Sequence, residues 1–126
     1  MSNRTADFAK PYDEAEFLER VEDDRELGDE LIRLFLDNCP KALADLQETL
    51  AQGDLDTLAR LAHGVKGSIG VFGARACFEA ALALEAAARA GDLSAARQAW
   101  VRLRLEVQRL SAALEETVGG RTSCDC

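Results

Sequence analysis

The stretch LARLAHGVKGSIGVFGA, Leu58 to Ala74, decides how the rest of the chain is read. It holds the only histidine of the 126 residues, His63, and three glycines inside what otherwise reads as helix. On a wheel of 100° per residue, Leu55, Leu58, Leu61, Ala62, Val65, Ile69 and Phe72 fall on one side, three or four apart. His63 falls on the opposite side, with Ala59, Lys66, Gly67 and Gly70 as its surface neighbours. Glycine in a helix interior costs roughly 0.8–1 kcal/mol relative to alanine, so Gly64, Gly67 and Gly70 together cost about 2–3 kcal/mol. Something other than helix stability has to favour them, and close approach of another backbone or a bulky group to the histidine is the obvious candidate. The plainer alternative is a loop through Gly64–Gly73. The apolar period runs on to Phe72 without a slip, which favours helix.

Charge points the same way. From Thr57 to Phe78 the chain carries Arg60, Lys66 and Arg75 and no acid, whereas the whole has 15 basic and 23 acidic residues. The remainder is therefore 12 minus 23, or −11. A locally positive window around an exposed histidine, on an acidic protein, suggests a site that handles an anion.

The length fits one domain with a single core, and strand signals are nearly absent, so the expected class is all-α. A pI near 4.6 offers no basic stripe for nucleic acid to follow. No apolar run approaches the ~20 residues that span a membrane, and MSNRTADFAKPYD has no hydrophobic segment for a secretory signal, so a cytoplasmic protein is expected. Cys39 and Cys77 sit at stripe positions and read as small core residues. Cys124 and Cys126 lie in the tail GGRTSCDC, where a metal or redox role competes with the simpler reading of a frayed terminus. A zinc site would need two further ligands nearby.

In chain order, residues 1–11 are a polar lead-in, 12–118 a helical bundle and 119–126 a flexible tail. Asp13 with Glu16 three residues on looks like a capping box opening a short helix with Phe17, Leu18 and Val21. A long helix follows from about Arg25 to Gln52, with stripe Ile32, Phe35, Leu36, Cys39, Leu43, Leu46 and Leu50. Its phase survives Pro40, which predicts a kink and not a stop. Gly53 ends it and Asp54 caps the histidine helix, about Leu55–Phe72. Gly73 turns the chain into a helix over about Ala74–Ala90. After Gly91, Asp92 or Ser94 caps a last helix to about Thr117, beyond which Gly119 and Gly120 release the tail. Its stripe Ala96, Trp100, Leu103, Val107, Leu110 and Leu114 alternates steps of four and three, a bundle seam. Short connections between long amphipathic helices predict an antiparallel up-down four-helix bundle with a short extra N-terminal helix.

Glu85 falls among the apolar positions of the fourth helix, where a carboxylate needs a partner. In a hairpin about Gly73, His63 lies ten residues before the turn and Glu85 twelve after, so their heights differ by about 3 Å. Glu85 could accept from the imidazole, fix its tautomer and leave the other nitrogen as a neutral nucleophile. Spacing alone equally allows Glu85 to reach solvent from the edge of the stripe.

AHGVKGSIGVFGA resembles the signature of histidine-containing phosphotransfer (HPt) domains: Ala-His, two residues, Lys-Gly, a small residue, then a later Gly-Ala. The resemblance covers about residues 13–117. It implies that His63 is the phosphorylated residue, Lys66 the cation beside the phosphoryl group, and Gly67 the small residue that admits a partner. Glu85 stands where these domains have a Glu or Gln bonded to the histidine, and Glu resembles the chemotaxis-kinase form. The implied reaction is a relay, in which a receiver domain presents an aspartyl phosphate with its own Mg²⁺ and His63 takes the group and passes it on. The implied partners are response-regulator receiver domains or a hybrid sensor kinase, docking on the face of Ala59, Arg60, Gly67 and Gly70. The chain itself is expected to need no cofactor, to lack autonomous kinase activity because no phosphate-binding loop is present, and to be a monomer, either a free-standing module or one excised from a larger kinase. Two other classes compete. One is a bundle that regulates a partner without carrying phosphate, which would have little use for His63, Lys66 and Gly67. The other is a metal-binding bundle, which would place several ligands inward on facing helices.

Overall fold

The computed structural model describes residues 11–122 and builds them into five helices, with no strand among the described residues. The Cys124–Cys126 pair and most of the expected lead-in lie outside the described residues. The short α1 (Glu14–Arg20) is followed by α2 (Arg25–Gln52), α3 (Leu55–Gly70), α4 (Arg75–Arg89) and α5 (Leu93–Thr122). Each long helix packs on its chain neighbour, and α2 closes the ring against α5. With connections of a few residues, the neighbours run antiparallel and form a four-helix bundle.

The helix boundaries follow local chemistry. Asp24, Asp54 and Asp92 each accept a hydrogen bond from the backbone N–H three residues on, at 3.0, 3.2 and 3.0 Å. These bonds satisfy donors that no helical carbonyl can reach. Asp92, not Ser94, is thus the cap of α5. Gly53 and Gly91 end the preceding helices in the left-handed region, at φ 73° and 72°, so the two Gly-Asp pairs are the same turn used twice. α2 passes through Pro40 without ending. The capping box at Asp13 is only half formed: Asp13 accepts from the Glu16 N–H at 3.0 Å, but its own N–H goes to Phe72 O at 3.3 Å. The Glu16 carboxylate pairs with Arg20 instead, at 2.7 Å.

The core is built largely from the stripes read from sequence, although Phe35, Leu36, Cys39 and Leu43 of α2 are only partly buried against it. Ile32, Leu46, Leu58, Ile69, Leu84, Leu103, Leu110 and Leu114 are fully buried. α5 corrects the sequence reading, because it continues through Gly119 and Gly120 to Thr122 and does not stop near Thr117. The seam accounts for this. Val118, the next step of four after Leu114, is buried, and the Thr117 hydroxyl shares a 2.7 Å hydrogen bond with that of Tyr12. Packing outweighs the low helix propensity of two glycines.

α1 lies over the end of the bundle where α3 turns into α4. The rings of Phe17 and Phe35 pack on Phe72 at centroid separations of 5.0 and 5.2 Å. Arg20 donates to the Gly70 carbonyl at 2.7 Å. Gly73 suits this closure, with φ at +66° and little room beside it: a Cβ would stand 3.1 Å from Asp13 Cβ and from Glu16 Cδ, tighter than ordinary contact. The far end of α3 is thereby fixed, and the histidine two turns before it stands on a clamped helix.

Candidate functional site

His63 projects from the middle of α3, and its side chain is 63 % exposed. α3 is continuous through Gly64 and Gly67, so the loop reading does not hold. A Cβ on either glycine would meet nothing within 4 Å. The surface beside the imidazole is bare backbone.

Behind the ring stands Glu85 of α4. Its side chain is 8 % exposed, and Oε2 lies 3.1 Å from His63 Nδ1. The even choice left by spacing is settled: Glu85 meets the histidine. An ionised carboxylate only accepts, so Nδ1 carries the hydrogen and a neutral ring keeps the lone pair on Nε2. A buried carboxylate is costly without partners, and α3 and α4 supply two cations. The Lys66 ammonium meets Oε1 at 2.8 Å as an ion pair off the line of a hydrogen bond. Arg89, one turn along α4, donates Nη2–H at 2.8 Å and Nε–H at 3.1 Å to Oε2. Lys66 foremost, then Arg89, hold the Glu85 carboxyl down to about 2; burial opposes them and the His63 bond adds to the lowering. Lys66 is itself placed by Phe78, whose ring centroid lies 6.0 Å from Nζ. α4 therefore presents Phe78, Glu85 and Arg89 to α3 on positions seven and four apart, one face of a helix.

α4 comes this close because it is built from small residues. Ala80, Ala81, Ala87 and Ala88 are buried along it. Ala59 is a correction to the surface read from the wheel: it is 4 % exposed and buried in the bundle. A wheel gives the direction of a side chain but not where the neighbouring helix stands, and Ala59, one turn before His63, is covered by the bundle. Arg60 is exposed and donates to the Thr57 hydroxyl at 3.3 Å, apart from the carboxylate network. Gly67 is open, whereas Gly70 is half-buried, and a Cβ there would touch the Phe78 ring at 3.5 Å. Arg89 and Phe78 were not singled out in the sequence. The signal for Arg89 was present, since a Glu with an Arg four residues on is a stabilising helix pair.

A four-helix bundle that holds a single imidazole on its surface, backed by a buried carboxylate, defines a helical module built around a histidine. The family model of the Hpt domain matches residues 30–113, two thirds of the 126 residues, and the chain belongs to the Hpt domain family. Members of this family are histidine phosphotransfer modules of phosphorelays, phosphocarriers and not kinases, which interact with receiver domains and kinases. No curated protein and no solved structure matches the chain. No helix among the described residues is long and apolar enough to cross a membrane.

Proposed function

We propose that His63 accepts a phosphoryl group on Nε2 from the aspartyl phosphate of a receiver domain, or from a sensor kinase, and passes it to a second receiver. One observation carries this reading: the 3.1 Å contact from Nδ1 to a buried, ionised Glu85, on a ring left largely open to solvent. That contact selects the tautomer in which Nε2 is the nucleophile. Attack forms the N–P bond from the Nε2 lone pair as the O–P bond of the aspartyl phosphate breaks and leaves its pair on the aspartate. The Nδ1 proton stays in place, so the ring becomes cationic beside Glu85. Lys66, close to the carboxylate and 19 % exposed, contributes positive charge on this side, and the receiver with its Mg²⁺ supplies the rest. Gly64 and Gly67 let the receiver come close to Nε2, while Arg60 and Gly70 stand at the edge of the docking face.

Phosphoryl transfer tests the reading directly. A receiver charged by a small phosphodonor is mixed with the protein, and the expected product is an acid-labile, alkali-stable phosphate on wild type and none on His63→Gln. No label from any of several receivers, with the bundle folded, would favour a module that binds a partner without carrying phosphate.

A further inference from the structure

Arg89 has no part in the relay as described so far, yet it holds the central carboxylate through two N–H groups. Its Nε–H and Nη2–H both end on Glu85 Oε2, at 3.1 and 2.8 Å, the same oxygen that faces His63 Nδ1 at 3.1 Å. Neutralising a buried charge does not require it, because Lys66 already pairs with Oε1 at 2.8 Å. The Arg89 side chain is 59 % exposed, so its own burial does not account for the contact either. One carboxylate thus serves two full cations and an imidazole.

The consequence concerns the cationic ring formed on transfer. Oε2 stabilises that ring through Nδ1–H, and a guanidinium on the same oxygen opposes the ring's charge and weakens the oxygen as an acceptor. We propose that Arg89 is a positioning residue that acts through Glu85, limiting how far the carboxylate stabilises the charged phosphohistidine and so keeping the phosphoryl group transferable in both directions. The inference rests on the relay reading of His63, but its central element, the coupling of Arg89 to the charge of the ring, exists in the unphosphorylated protein.

The charged groups around His63 are Glu85 and Arg89 from α4 and Lys66 and Arg60 from its own helix. In the full chain carrying Arg89→Met, the imidazole should bind a proton about fivefold more tightly than in wild type, the factor expected for unit charges bridged by one oxygen in a largely aqueous setting. Because the chain has a single histidine, ¹⁵N and ¹H NMR through the titration reads this without ambiguity. The equilibrium ratio of phospho-His63 to phospho-receiver should rise by a similar factor. Arg89→Lys keeps the charge without the two-pronged grip and should stay closer to wild type than Arg89→Met; Arg89→Gln replaces the Met variant if circular dichroism shows that it has lost helix. An unchanged or lower proton affinity in the folded charge-removing variant overturns the proposal, as does an Arg89→Lys value equal to it. A proton shift as expected, in a protein that takes no phosphoryl group from receivers, would instead overturn the relay reading and leave the coupling standing.

Discussion

Replacing Gly64 and Gly67 by alanine should make the protein more stable and a worse phosphotransfer partner. Both residues lie inside the regular helix α3, and a Cβ added to either meets nothing within 4 Å. The fold therefore offers no steric reason for glycine, and each substitution should recover roughly 0.8–1 kcal/mol of helix propensity. The double variant gains about 2 kcal/mol, which for a domain of this size raises Tm by roughly 6–10 °C. Differential scanning calorimetry or a thermal circular-dichroism melt reads this. Gly73→Ala is the internal control of opposite sign. Its φ of +66° and the 3.1 Å approach to Asp13 Cβ and Glu16 Cδ make it lose about 1–2 kcal/mol for the backbone alone. Phosphoryl transfer from a charged receiver, followed by rapid quench, should fall for the stabilised Gly64→Ala/Gly67→Ala protein. A misplacement of about 1 Å between reacting groups can cost on the order of 100-fold, so two methyls beside His63 should slow transfer at least about tenfold. Two results would refute the reasoning. If the alanines fail to stabilise, the glycines serve the fold; if they stabilise and transfer is unchanged, close approach at this face is not what they provide.

Three further perturbations test the surroundings of the site. The Glu85 carboxyl titrates at about 2 in the folded chain, below its ordinary 4.5, so its contribution to stability is complete above about pH 4.5 and is lost as the pH falls toward 2. Urea melts at a series of pH values should show this slope flattened in Glu85→Gln, which should also be the less stable protein at pH 7 because Lys66 and Arg89 lose their partner. Tyr12→Phe removes the hydrogen bond to Thr117 and should cost about 1 kcal/mol in denaturant melts, loosening the hold of the N-terminal segment on the last turns of α5. Cys77 is buried, and burial foremost pushes its thiol up to about 12; in a chain with Cys124 and Cys126 replaced by serine, a thiol reagent at neutral pH should reach it only at the rate of global unfolding.

Much of the fold was legible because its four long helices carry uninterrupted stripes, and stripes are what periodicity detects. The seam from Ala96 to Leu114 in α5 is buried at every position. The error at its end has the same origin: Gly119 and Gly120 argue locally for a stop, while Thr117 bonds Tyr12, 105 positions away, and Val118 is buried, which no local pattern contains. The site was legible to the extent that it conflicts with helix stability. An exposed histidine among glycines and a carboxylate on an apolar stripe are each unfavourable for the bundle alone, and both drew attention for that reason. Ala59 and Arg89 were misjudged or missed because they do not conflict with anything. An alanine suits either face, and an arginine four residues after a glutamate looks like an ordinary surface pair. What separates them is the rotation of α4 against α3, which a wheel leaves undetermined.

That rotation is what turns a helical hairpin into a chemical site. The alanines of α4 allow the two helices to approach until a short carboxylate side chain reaches Nδ1; a larger residue at Ala81 or Ala88 would push α4 outward, and a Glu85–His63 contact already at 3.1 Å has little distance to lose. The cations follow from the same closeness. Bringing Glu85 under cover demands compensation, Lys66 provides it from α3, and Arg89 adds to it from α4. The charge state of the carboxylate, the tautomer of the imidazole and the firmness of the pairing are thus set together by how closely two helices pack, one of them made of the smallest side chains that still favour a helix.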